Sequence, residues 1–166
     1  MPSPQIRIRG ITEQDESNVY EYASHELIAA TTNVPHPYPR DAAIIFIRES
    51  LQKSAVGQVF VFAALADEHF VGIVSIHRQP LISINFGIAV PFWDKGYATA
   101  AVLEAIAYAK KELVARCIES TCLRENIASK RVMQKNGFRK VGEKLYDGPR
   151  MERFQNRILE IYRLDL

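Results

Sequence analysis

The sequence predicts a mixed α/β domain, and three observations carry that prediction. Strand-like and helix-like stretches follow one another in the order β-α-α-β-β-β-α-β-α-β-β, mixing consecutive strands with strand–helix–strand units. The stretch Leu81–Glu112 (LISINFGIAVPFWDKGYATAAVLEAIAYAKKE) holds a strand, a tight turn and a long helix in succession. The 166 residues, 48% hydrophobic, suffice for a single domain, residues 1–166, around one core.

Ile6–Arg9 alternates apolar and charged residues as a half-exposed strand does, and Gly10 closes it. Thr12 is the expected N-cap of a first helix, with Asp15 favouring its dipole. Val19, Tyr22, Ala23 and Leu27 are its expected buried face. Thr31–Arg40 carries Pro35, Pro37 and Pro39, which forbid helix and favour extended chain. This stiff loop presents His36 and Tyr38, and its reading stays open between a connector with Tyr38 on the core and a wall of a substrate site. Asp41–Lys53 reads as a second helix with Ile44, Ile45, Phe46 and Leu51 as its apolar set.

Val59–Leu65 is a continuous apolar strand, buried on both faces. Ala66–His69 is a hairpin turn and Phe70–His77 the returning strand. Ile82–Val90 is the next strand, ended by Pro91. The helix after it places Ala98, Ala101, Val102, Ala105, Ile106 and Ala109 on one face. Arg116–Leu123 is a strand. Asn126–Asn136 is a short helix capped by Asn126, with Gly137 at the left-handed position beyond its end. Phe138–Leu145 and Arg157–Leu164 are the last two strands.

Composition bounds the function. A net charge of +2 argues against nucleic acid or an anionic membrane as partner. No apolar run approaches the roughly 20 residues that span a bilayer. The N-terminus has no basic-then-apolar signal. A soluble cytoplasmic protein is therefore expected. Cys117 and Cys122 lack metal-ligand spacing and read as reduced cysteines near the core; no metal is expected.

The junction Trp93–Thr99 carries the chemistry. The first N–H groups of a helix have no intrahelical partner and its dipole makes that end positive, so an anion, most often a phosphate, fits there. Gly96 lets a ligand approach the backbone, Ala98 keeps the next inward position small, and Lys95 adds charge. The plain alternative is an ordinary strand-to-helix turn with a surface lysine.

The string Pro91-Phe92-Trp93-Asp94-Lys95-Gly96-Tyr97-Ala98-Thr99 resembles the acetyl-coenzyme A pyrophosphate loop of the GNAT N-acetyltransferase superfamily, and is most similar to that of its RimJ/RimL-like branch. Asp94 stands where a glycine is usual, and Ala100 where a glutamate is usual. A second stretch, Leu123–Phe138, resembles the superfamily signature N-x-x-S-x-x-x-x-x-K-x-G-F through Asn126, Ser129, Lys135, Gly137 and Phe138. The two signatures come in the expected order and cover about a third of the chain.

The resemblance implies a GNAT-like acyl-CoA N-acyltransferase fold. That fold has a strongly twisted mixed sheet of about seven strands with helices on both faces. The resemblance also implies transfer of an acetyl group from acetyl-CoA to a primary amine by direct attack. The acceptor would be a protein N-terminus or a small-molecule amine, and a homodimer is admissible. Cofactor contacts fall on Trp93, Asp94, Lys95, Gly96, Tyr97, Ala98 and Thr99. They extend to Phe86, Gly87 and Ile88, where the strand splays and Gly87 permits a bulge, and to Asn126, Ser129 and Arg131.

Asn126 can donate to a pantetheine carbonyl and Arg131 can fork onto a phosphate. As plain structure the same residues are a cap, a packing serine and a solvated charge. Met133 stands where many members have a tyrosine for the thiolate; the RimJ/RimL-like resemblance implies the serine in that role instead, which makes Ser129 the expected catalytic residue. His36 and Tyr38 fall in the acceptor region. His36, His77, Glu125, Asp147 and Glu152 are candidate bases by residue type alone. The competing function is a non-catalytic acyl-CoA-binding module.

Overall fold

The computed structural model describes residues 4–148 and 152–166. Among them is a sheet of seven strands: β1 (Arg7–Gly10), β2 (Val59–Ala66), β3 (His69–His77), β4 (Ser83–Ile88), β5 (Cys117–Leu123), β6 (Arg139–Leu145) and β7 (Ile158–Asp165). Their spatial order is β1-β2-β3-β4-β5-β7-β6. Every neighbouring pair is antiparallel except β4–β5. That exception follows from the sequence, because a long helix separates the two strands and parallel neighbours need such a crossover.

The helices are α1 (Glu16–Ser24), α2 (Glu26–Ala29), α3 (Ala42–Ala55), α4 (Tyr97–Glu112) and α5 (Ile127–Lys135). One face of α4 buries Ala101, Val102, Ala105, Ile106 and Ala109 in a cluster with Val74, Ile76, Ile84, Ile118 and Met133. A second cluster joins Val19 of α1 and Ala43 and Ile47 of α3 to Val61 of β2. Ile47 is fully buried, and enclosing such a side chain stabilises the fold by about 2 kcal/mol.

Asp15 is 2% exposed and receives two hydrogen bonds of 2.8 Å from the Arg9 guanidinium. It also accepts from the Thr12 N–H at 2.9 Å, reciprocating the Thr12 cap. The Arg9 bonds, set against a smaller opposing effect of burial, hold the Asp15 carboxyl below its usual range.

Four expectations are corrected. Leu27 is 44% exposed, because the helix breaks at His25 (φ −75, ψ 127) and the next turn buries Ile28 and Ala29 instead. In α3 the buried face is Ala43, Ile47 and Ser50, while Ile45, Phe46 and Leu51 are exposed. The buried stripe runs Ala43, Ile47, Ser50, and of the bulky apolar residues in this helix only Ile47 lies fully on it. The fourth strand stops at Ile88, and Pro91 lies inside a 3-10 turn over Val90–Phe92. Gly87 makes no bulge, for β3 and β4 stay in register from Gly72↔Ile88 to His77↔Ser83. The true irregularities fall at Ala64/Leu65 and Lys140/Gly142.

Candidate active site

β4 and β5 share one register pair, Ser83↔Glu119. The Glu119 N–H donates to Ile82 O at 2.9 Å, and the buried Ser120 hydroxyl to Ile84 O at 2.8 Å. Beyond Ile84 the pairing ends. Successive residues of a strand point their backbone groups to opposite edges. Since the Ile82 and Ile84 carbonyls face β5, the N–H groups of Phe86 and Ile88 face the same way, into the gap. This edge holds two backbone donors and no neighbouring strand.

The chain then turns over the gap. Trp93 Nε1 donates to Ile88 O at 2.7 Å, pinning the turn to the end of β4. Lys95 Nζ donates to Pro91 O at 2.9 Å and lies 5.7 Å from the Phe92 ring centre. Asp94 is exposed at φ +58, and Gly96 at φ +81 caps α4. The first intrahelical bond runs from the Ala100 N–H to Gly96 O at 3.1 Å. Among the described residues no side chain caps this end, and the Tyr97, Ala98 and Thr99 N–H groups of this 16-residue helix have no partner there.

The second signature lies alongside. Asn136 Nδ2 donates to Thr99 O at 3.2 Å and to Val132 O at 3.0 Å, fastening the end of α5 to the first turn of α4. At its other end Asn126 Oδ1 accepts from the Ser129 N–H at 3.1 Å. Capping uses the amide oxygen only and leaves Nδ2 to donate elsewhere. Met133 is fully buried in the core, and its thioether has no donor to offer.

A cavity of about 640 Å³ runs from Asn85, Phe86 and Gly87 past Ser120–Leu123 to Asn126 and Ser129, and on to Tyr38, Asp41, Phe46 and Glu49. It joins the gap, the start of α5 and the proline-rich loop. Tyr38 packs on the second cluster, 5.9 Å from Tyr20, ring centre to ring centre, and also lines this cavity, and burial raises its hydroxyl above the usual value. His36 and Arg131 are exposed and lie outside the lining, as do the loop residues Trp93–Thr99. Among the candidate bases, Glu125 pairs with Arg157 at 3.1 Å and Asp147 with Lys144 at 2.8 Å, both away from the cavity. Glu152 is exposed and also outside it.

Sequence reasoning missed four lining residues. Tyr22 read as core, yet its ring lies against Gly87, and burial raises its hydroxyl strongly. Asp41 and Glu49 read as ordinary helix residues. Tyr146, beyond the second signature, reaches back to donate to Asn33 Oδ1 at 2.7 Å. Only the exposed stripe of α3, had it been identified, pointed to Asp41 and Glu49. No local signal announced the others. Cys122 also lines the cavity, and burial followed by the Glu160 charge raises its thiol to about 11, against a smaller lowering by Lys130. It is an inert wall there.

Among the described residues no group of three or more His, Cys, Asp or Glu is placed to hold a metal ion. No helix among them is long and apolar enough to cross a membrane.

Solved structures share this architecture. RimJ of Mycobacterium smegmatis, in complex with a CoA disulfide, superimposes with TM-score 0.84 at 19% identity, over 99% of this chain and 83% of that one. RimL, a ribosomal alpha-N-protein acetyltransferase in complex with coenzyme A, gives 0.87 at 12% identity, over 99% and 96%. The microcin self-immunity acetyltransferase MccE, with acetyl-CoA and AMP, gives 0.84 at 16% identity, over 100% and 98%. At these identities the likeness is one of fold. No curated protein matches the sequence. The family model "Acetyltransferase (GNAT) domain" matches residues 5–139, most of the chain. A sheet parted beside an uncapped helix, with a family match running through both, leads to one conclusion: this chain belongs to the GNAT acetyltransferase family.

Proposed function

We propose that the chain is an acetyl-CoA-dependent N-acetyltransferase of the RimJ/RimL-like branch, acting on a primary amine of a protein N-terminus or a small molecule. The observation that carries this reading is the β4–β5 gap with its Phe86 and Ile88 donors, set beside the free N–H groups of Tyr97–Thr99. The branch assignment rests on the Pro91–Thr99 string.

The residues fit the coenzyme. Three amides at a positive helix end, unpaired among the described residues, suit a diphosphate, and Asp94 beside them is turned to solvent. Phe86, Gly87 and Ile88 would hold the pantetheine and acyl part along the open edge, and Asn126 Nδ2 would donate to it. Trp93 and Lys95 shape the turn through their bonds to Ile88 O and Pro91 O. Arg131, exposed on α5, would serve the nucleotide end.

Bound acetyl-CoA supplies a thioester whose acetyl group passes to the amine. The Phe86 and Ile88 N–H groups are fixed donors that stabilise charge developing on a carbonyl oxygen without reorganising. The Ser129 hydroxyl lines the same cavity and would donate to the sulfur as it leaves. Tyr38 and the carboxylates of Asp41 and Glu49 form the acceptor end, where acidic groups suit a cationic amine.

A panel of amines assayed for thiol release tests the reading. Release with at least one primary amine is expected. Coenzyme binding with no release from any amine would favour the non-catalytic acyl-CoA module instead.

A further inference from the structure

The proposed chemistry has a proton to dispose of. A primary amine enters as RNH3+. One proton must leave before the nitrogen can attack. The second leaves as the C–N bond forms and the C–S bond breaks, and it ends on the sulfur. One proton per turnover must therefore reach solvent, and the β4–β5 gap is lined by backbone amides, the Ser120 hydroxyl and the Cys122 thiol, with no base among them.

A smaller chamber of about 130 Å³ lies behind the main cavity. The two share Phe46, Glu49, Ile73 and Ser75, and the chamber adds Lys53 and His77. Ser75 and His77 stand two residues apart on β3, so both side chains lie on one face of the sheet. Ser75 Oγ is 3.3 Å from His77 Nε2, and Ser75 pairs across the sheet with Asn85, at the start of the open edge. Ser75 thus lines both cavities, and His77 lines only the smaller one.

Resting on the acetyltransferase reading, we propose that Ser75 and His77 form the outlet for the amine proton: the Ser75 hydroxyl takes it while passing its own to His77 Nε2. The imidazole then carries the charge and releases a proton through the chamber to water. Burial first, and then the charge of Lys53, lower the His77 pKa, so the ring is neutral at pH 7 and able to accept. Around it, α3 presents Glu49 and Lys53, while its sheet partners, Val59 of β2 and Ser83 of β4, carry no charge. Glu49 borders both cavities and would steady the imidazolium.

The test is the pH profile of kcat/KM in the whole protein, with an amine that it turns over. His77→Gln is expected to lose about 100-fold at pH 7, in the range of general-base effects. The deficit shrinks as pH approaches the pKa of the amine, because the substrate then arrives deprotonated. Ser75→Ala should match it, Ser75→Thr should restore most of the rate, and all three should bind acetyl-CoA as the parent does. In the parent, the His77 ring-proton shift followed by NMR, assigned against His77→Gln, should titrate at the acidic limb of the profile. A deficit that does not vary with pH, or a His77 midpoint more than a unit from that limb, overturns the relay. A parent that releases no thiol with any amine overturns the acetyltransferase reading itself, and the relay with it.

Discussion

The Tyr22 ring occupies the space into which a side chain at Gly87 would project. A Cβ built there meets the hydroxyl oxygen in hard contact and the carbon bearing it at 3.1 Å. The glycine thus serves packing between α1 and β4, and it seats a tyrosine hydroxyl over the face of β4, in the cavity wall. Gly87→Ala should destabilise the protein by about 1–3 kcal/mol, the usual cost of overpacking. Tyr22→Phe in the same chain should recover part of this, since it removes the nearest atom. Urea unfolding of the two single variants and the double variant measures the coupling.

Gly96 is at φ +81, where a β-branched residue is strained. Gly96→Val should weaken acetyl-CoA binding at least tenfold by distorting the start of α4, with the far-UV spectrum retained. Calorimetric titration gives the affinity, and unchanged binding would argue against the helix end as the diphosphate seat.

Ser129 lines the cavity, and its N–H, not its hydroxyl, holds the cap to Asn126. Ser129→Ala therefore keeps the cap. Turnover should fall at saturating substrate while acetyl-CoA affinity stays nearly unchanged. Equal turnover in the variant removes Ser129 from the chemistry.

Glu160 is 5% exposed on β7. Burial works to raise its pKa, yet hydrogen bonds from Lys140 at 2.9 Å, from Lys130 and from Tyr162 prevail and hold it at about 2. A carboxyl depressed in the fold adds stability above its unfolded pKa, near 4.5, and that stability is lost as pH falls toward 2. Thermal midpoints should therefore drop between about pH 4.5 and 2. In Glu160→Gln the drop should be shallower, with Asp15 still contributing, and the variant should be less stable at pH 7 because Lys130 loses its carboxylate and Lys140 keeps only Glu143.

The Arg153 guanidinium donates to Ala29 O at 2.8 Å, to Thr32 O at 3.1 Å and to Val34 O. It ties the start of the proline-rich loop to the segment before β7. Arg153→Ala should raise KM for the amine several-fold while leaving acetyl-CoA affinity unchanged, as steady-state kinetics in each substrate would show.

The strand–turn–helix proposed to seat the coenzyme was legible because it is local. A strand, a glycine with positive φ and a helix start lie within Leu81–Glu112, and Asn126 and Gly137 cap α5 by rules that span a few residues. The acceptor side was not. Tyr22, Glu49, Ser75 and Tyr146 come together only after α1, α3, β3 and β6 have packed, and no spacing within one segment encodes that meeting. Leu27 and Ile45 failed for a related reason: a break at His25 and the set of the α3 stripe Ala43–Ile47–Ser50 decided burial, and residue size alone encodes neither.

Ser83 and Glu119 form the one rung that laces strands β1–β4 to the block β5–β7–β6. The sparsest pairing between neighbouring strands of the sheet thus adjoins the cavity, which begins at Asn85 and Ser120. A guest lying along that joint would touch both blocks and act as a dowel between them. Occupancy and mechanical cohesion would then rise together, and the empty protein would flex along the same line that its guest closes.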